Sequence, residues 1–233
     1  MSFAGTGLFP VARVLPHKPM PEFELDRLIA QIRACRICVD APRGRPLPHE
    51  PRPVVVPSTT ARVLIAGQAP GTRVHVSGIP FDDPSGDRLR DWLGVDRAEF
   101  YDPVNFAIAP MGFCFPGNDA KGGDLPPRRE CAPQWRKPLI QLMPQIELVL
   151  AVGLHAQAWH IGTARAATLG QTVMNWRAIY DASAAPRVIP LPHPSWRNSA
   201  WLKRNPWFET DLLPFLKSEI RHCLSAKVGN GVA

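Results

Sequence analysis

The apolar positions of this chain fall into short blocks of two different periods. Arg62-Val63-Leu64-Ile65-Ala66-Gly67 is a continuous apolar run closed by glycine, the pattern of a strand buried on both faces. Comparable runs cover Asn105 to Pro110, Glu147 to Val152 and Arg187 to Leu191. Between them the apolar residues recur at helical spacing. Over residues 22–38, Phe23, Leu25, Leu28, Ile29, Ile32 and Cys35 share one face, and over Ser85 to Leu93 the apolar side carries Leu89 and Trp92. Further helices are expected around 131–143, after Gly153 in a stretch rich in Ala and His, and over 206–222 as a closing amphipathic segment. Residues 41–60, dense in Pro and Arg, and 115–128, rich in Pro and Gly, read as irregular chain. Strands alternating with helices predict an α/β fold: three layers, α/β/α, around a central, mainly parallel four-stranded sheet. There is no internal repeat. In such sheets the site lies at the carboxyl ends of the strands.

Length and composition narrow this picture only a little. The 233 residues are read as a single domain over 1–233, with its core at about 22–222. Charged residues at 20% and hydrophobic ones at 45% describe an ordinary globular chain. The excess of 27 Lys+Arg over 20 Asp+Glu, a net +7, favours an anionic partner, and nucleic acid or a membrane surface would both satisfy it. The longest apolar run, Leu148 to Leu154, is too short to span a bilayer, and the N-terminus shows no signal-peptide pattern. A cytoplasmic protein without a membrane partner is expected, and a monomer. Its 5 cysteines are then metal ligands or inert thiols rather than disulfides.

Two loops carry the chemistry. The first is Gly67-Gln68-Ala69-Pro70-Gly71, followed by Gly78-Ile79-Pro80-Phe81-Asp82-Asp83-Pro84-Ser85-Gly86. The second is His193-Pro194-Ser195-Trp196-Arg197-Asn198. Each follows a predicted strand, so the two can converge. Asp83 before Pro84 is also what a helix N-cap with proline at the first helical position looks like. Asp82 is the alternative acid. Phe81 can equally be a core residue, and His193 a loop histidine packed between prolines.

Cys35-Arg36-Ile37-Cys38 is a pair at CxxC spacing, and Cys114 and Cys131 bracket a loop that begins Phe115-Pro116-Gly117-Asn118. This irregular spacing does not match a usual zinc finger. Four thiolates suit a 4Fe–4S cluster, a tetrahedral zinc site or no metal at all. The cysteines are scattered rather than clustered as in ferredoxins, which speaks against an electron carrier. Cys223 lies outside both pairs and reads as a packed or surface thiol.

The two loops resemble the active-site motifs of the uracil-DNA glycosylase superfamily over roughly residues 25–200. The four cysteines match the cluster ligands of its bacterial and archaeal, family-4-like branch. That resemblance implies a 4Fe–4S cluster on Cys35, Cys38, Cys114 and Cys131. It also implies DNA, single- or double-stranded, as partner, and removal of uracil by base flipping. Breaking the N-glycosidic bond develops positive charge on the sugar and negative charge on the departing base. A carboxylate near the sugar and a donor near the base oxygen therefore both help. In the resemblance Asp83, placed like the acid of the family-5 branch, is the carboxylate, and His193 stabilises the leaving base. Gly67, Gln68, Ala69, Pro70 and Gly71 line the base and sugar, and Phe81 stacks on the flipped base. Ser195 and Asn198 complete the substrate contacts, Ser195 on a phosphate. Trp196 and Arg197 enter the duplex as a wedge.

This sequence departs from the pattern in two places. Gln68 stands where family-4 members carry Glu, and Pro110 stands where they carry the Asn that reads the uracil edge. A proline cannot supply that amide, so the base range extends beyond uracil or another group replaces it, with His75, Asn105 and His155 as candidates. Met111 and Gly112 would then shape the pocket floor. Trp201 to Phe208 mixes cations with aromatics, as phosphate contacts or a basic turn. No lysine in either motif can act as a Schiff-base nucleophile, so hydrolysis without strand cleavage is expected. A non-catalytic module that binds damaged or abasic DNA is the rival reading.

Overall fold

The computed structural model describes residues 21–225, so the N-terminal reading and both ends of the proposed 1–233 domain lie outside the described residues. In chain order the described elements begin with α1 (Pro21–Arg33), α2 (Ile37–Asp40), β1 (Val63–Ala66), α3 (Thr72–Ser77), α4 (Pro84–Leu93) and α5 (Arg97–Tyr101). Then follow β2 (Phe106–Ile108), α6 (Cys131–Gln141), β3 (Leu148–Val152), α7 (Leu154–His160), α8 (Leu169–Met174) and α9 (Trp176–Ala182). The chain closes with β4 (Arg187–Leu191), α10 (Ser199–Arg204) and α11 (Leu213–Ser225).

The four strands form one sheet in the order β2-β1-β3-β4, and every pairing is parallel. Side chains alternate across it, and the core divides accordingly. Val63, Ile65, Leu148, Leu150, Ile189 and Leu191 pack on one face with Leu89 and Leu93 of α4 and Leu216 and Ile220 of α11. Leu64, Ala66, Val149, Ala151 and Val188 pack on the other with Ile29 and Ile32 of α1 and Leu139 of α6. The result is the expected three-layer α/β/α fold, and it explains why the strands read as continuous apolar runs. Among the described residues no helix is long and apolar enough to cross a membrane.

Three segments differ from the sequence reading. The helix expected over 22–38 breaks after Arg33 and resumes at Ile37, which puts Cys35 in the turn and Cys38 in α2. The closing segment opens as a wide turn, Phe208–Leu212, before α11 begins. Pro214 has no N–H to give back to residue 210, and the wider winding absorbs that break. Residues 201–204 lie in α10 rather than in a turn.

Candidate active site

The first motif leaves the end of β1 and is stitched to the segment that leaves β2. The Met111 amide donates to the Gly67 carbonyl at 2.9 Å and the Gly112 amide to the Gln68 carbonyl at 3.0 Å. Met111 and Gly112 therefore hold the motif from behind instead of lining the pocket floor. After α3 the chain reaches Phe81, whose φ of 55° makes it the single non-glycine residue in the left-handed region among those described. Such a conformation is costly for an aromatic residue and persists only where the surroundings enforce it. Here Gly86 crosses directly over the Phe81 carbonyl, the Arg90 guanidinium reaches that oxygen at 3.4 Å, and the Phe81 ring meets Phe100 edge-on at 6.1 Å.

Two residues on, Asp83 caps α4: its Oδ1 accepts from the Gly86 amide at 2.8 Å, with Pro84 in the first turn. The cap fixes the carboxylate at the helix end without removing it from the cavity. Asp82 is engaged elsewhere, accepting from Arg97 at 2.9 Å.

The second motif leaves β4. Its entry is anchored by the Leu191 carbonyl, which accepts from the Gly153 amide at 2.9 Å and from Gln157 Nε2 at 3.0 Å. Asn198 turns inward and donates to the His193 carbonyl at 2.7 Å, so it shapes this loop rather than facing the cavity. Arg88, on α4, donates from Nη1 to the Ser195 carbonyl at 3.0 Å and from Nη2 to Ser199 Oγ at 3.3 Å. Burial pulls the His193 imidazole below its ordinary value, and the charges of Asp83 and Asp124 oppose the shift. At neutral pH the ring is neutral, able to donate one N–H.

These pieces converge on one cavity of about 410 Å³. Gly67, Gln68, Ala69, Pro70 and Gly71 line it from the first motif, Phe81 and Asp83 from the turn before α4, and His193, Ser195, Trp196 and Arg197 from the second motif. Pro110 lines it as well, and its carbonyl and that of Ala109 are occupied by Arg136 Nη1 at 2.9 and 2.7 Å. None of the three candidate replacements for the missing amide lines the cavity. His75 meets His49 at a tilt with ring centroids 4.3 Å apart, Asn105 donates to the Glu99 carbonyl, and His155 lies on α7. Trp196 is 76% exposed at the rim.

Two participants escaped the sequence reading. Asp124 lines the cavity from the loop between Gly117 and Leu125, and Arg88 ties the two motifs together. Nothing in the Gly122-Gly123-Asp124 sequence separates Asp124 from an ordinary turn acid. Arg88 lies on a helix whose apolar side alone carried a signal.

The four cysteines gather at a second, small apolar pocket that Cys35, Cys38, Cys114 and Cys131 all line with Trp135 and Arg128. Burial pushes the Cys114 and Cys131 thiols up to about 12 and raises Cys38 as well. Each sulfur nevertheless faces a donor. Trp135 Nε1 donates to Cys35 and the Phe113 amide to Cys131, both at 3.3 Å, while the Arg128 side chain meets Cys38 and the Arg52 amide meets Cys114. Among the described residues no group of three or more His, Cys, Asp or Glu is placed to hold a single metal ion.

The family model described as the uracil DNA glycosylase superfamily matches residues 53–217, and the chain belongs to that superfamily of DNA glycosylases. Among solved structures it is similar to SMUG2 of Pedobacter heparinus, at 15% identity, 74% of this chain and 77% of that one, with a TM-score of 0.33.

Proposed function

We propose that this protein hydrolyses the N-glycosidic bond of uracil in DNA, leaving free base and an abasic site. The observation that carries the reading is the convergence of Asp83, Phe81 and His193 on one cavity at the carboxyl ends of β1 and β4. In this reading the base leaves the stack and rests on Phe81, as enzymes acting on a base require. His193 donates to the base oxygen as negative charge builds there, and a neutral imidazole serves because the carbonyl is not yet an anion in the ground state. Asp83 faces the positive charge that develops on the sugar. Ser195 contacts a phosphate, and exposed Trp196, beside Arg197, wedges into the vacated stack.

A broader base range is the second reading, and Pro110 favours it. The residue offers no side-chain amide, and its carbonyl already accepts from Arg136. Selectivity drops where a polar reading group is lost. Strand-scission assays after alkali, on DNA carrying uracil, hypoxanthine, xanthine or a mismatched thymine, test both readings. Cleavage at uracil alone supports a strict enzyme, and cleavage at several bases the broad one. Binding without cleavage anywhere would support a damage-binding module instead.

The donor set also fits a family-4-like 4Fe–4S cluster on Cys35, Cys38, Cys114 and Cys131. Thiolates that carry charge are stabilised by N–H donors aimed at sulfur, and all four have one. Four cysteines line a common pocket, and their irregular spacing along the chain suits a cluster better than a zinc finger. Such a group would tie α1 and α2 to the start of α6 and take no part in the reaction. Anaerobically purified protein should show broad visible absorption that Cys38→Ser abolishes. A colourless protein with zinc in stoichiometric amount would contradict the cluster.

A further inference from the structure

The first motif of this chain contains no acid, since Gln68 and Ala69 occupy its turn. The structure brings one to it from elsewhere. The loop between Gly117 and Leu125 folds over the motif and is held there by several bonds. Asp119 takes the amides of Lys121 and Gly123 at 2.8 and 2.9 Å, and the Asn118 and Asp124 backbones bridge. Gln68 Nε2 donates to the Leu125 carbonyl at 3.5 Å, and Thr72 Oγ1 donates to Asn118 Oδ1 at 3.4 Å.

Within that frame the two oxygens of Asp124 differ. Oδ1 accepts from Asn118 Nδ2 at 3.1 Å, which fixes the carboxylate plane. Oδ2 lies against Gly71, where an added Cβ would stand only 3.2 Å away, so the first motif leaves room for it by having no side chain at that position. Asp124 lines the same cavity as His193 and Asp83. Asp83 likewise has Oδ1 committed, to the cap of α4.

We propose that Asp124 is a second working carboxylate of this pocket, supplying to the first motif the acid that the motif lacks. The proposal rests on the glycosylase reading above. With DNA bound, water attacks the sugar C1′ as the C1′–N bond breaks and its electron pair departs on the base. Asp124 takes one proton of that water through Oδ2, and the base anion, held by His193, is protonated from solvent. Asp83 remains a fixed negative charge facing the sugar. The division of labour follows from position: Asp83 is held at the head of α4, and Asp124 Oδ2 stands against the first motif.

The test is single-turnover base release by full-length Asp124→Asn and Asp124→Ala proteins on a single-stranded oligonucleotide with one uracil. The expected result is a fall of about 100-fold or more in both, in the range that a positioned proton acceptor contributes. Affinity for an oligonucleotide carrying an abasic-site analogue stays within about threefold of the parent. Added formate restores part of the Asp124→Ala rate, which a purely structural role would not allow. Asn at 124 still offers an oxygen to Asn118, so the loop keeps its anchor. A rate for Asp124→Asn within about threefold of the parent would overturn the proposal. So would a loss matched by an equal loss of affinity. If the parent itself releases no base, the glycosylase reading fails and takes this one with it.

Discussion

Arg88 donates to the Ser195 carbonyl across 3.0 Å, so the helix whose cap presents Asp83 also grips the loop that presents His193. The two proposed catalytic groups come from distant parts of the chain, and this guanidinium sets their spacing together with its second bond to Ser199. Replacing it with methionine keeps the aliphatic stem and removes both bonds. Small misplacements of reacting groups are expensive, so Arg88→Met should lower the single-turnover rate on the order of 10-fold or more. The melting temperature should stay near the parent's, because the residue is only partly buried and its bonds reach the second motif and the start of α10 rather than the core. Unchanged turnover would show that the second motif is positioned without it.

Gly86 and Phe81 make a tighter constraint. A Cβ on Gly86 would fall 1.7 Å from the Phe81 carbonyl oxygen, far inside any allowed contact. Gly86→Ala must therefore move the backbone of the turn that holds Phe81 in its left-handed conformation. Overpacking of this kind costs about 3 kcal/mol. Denaturant unfolding should show the loss, and base release should fall further than stability alone explains, because the proposed stacking platform shifts.

Asp83 caps α4, and substitutions can separate that duty from the catalytic role proposed for it. Asparagine caps a helix about as well as aspartate, whereas alanine forfeits about 1 kcal/mol of cap. Asp83→Asn should then keep parental stability and abolish base release, and Asp83→Ala should lose both. Near-normal turnover by Asp83→Asn would remove Asp83 from the catalytic role and leave it as a cap.

The layout of the fold was legible because both faces of the sheet are covered. Burial on two sides gives uninterrupted apolar runs such as Val63 to Ala66 and Leu148 to Val152, and four of them fixed the strand count. The convergence of the two motifs followed, since each leaves the carboxyl end of a parallel strand. Short helices were less readable. α5 spans only Arg97–Tyr101, although its capping box of Asp96 and Glu99 was available as a signal. The roles of individual polar residues were the least legible. Asn198 looks like a substrate contact in sequence, and its amide instead ties down the His193 carbonyl. Asp124 depends on a loop path that no periodicity encodes. The left-handed Phe81 is a product of Gly86 packing over it, which only three dimensions reveal.

A pH dependence follows from His160, which lies against the buried Arg136. Arg136 Nη2 meets His160 Nε2 at 2.6 Å, and because guanidinium can only donate, the ring nitrogen accepts. Burial first, and the adjacent cation second, pull the imidazole from 6.5 down to about 3. Between those values the unfolded chain holds a proton that the native state does not, so stability rises with pH across this window. It is therefore lost as pH falls from about 6.5 toward about 3. His160→Gln cannot take up that proton, and its unfolding free energy should decline less steeply over the same range. Parallel slopes for parent and variant would mean that other groups carry the acid sensitivity.

The most direct measurement is of the liberated base itself. Full-length protein is incubated with an oligonucleotide carrying one uracil, and the small-molecule fraction and the strand are both analysed before any alkali is added. Hydrolysis should yield free uracil in an amount equal to the abasic sites formed, with the strand intact until alkali cleaves it. DNA bound with no base released would contradict hydrolysis, and a strand already cut before alkali would contradict a purely hydrolytic mechanism.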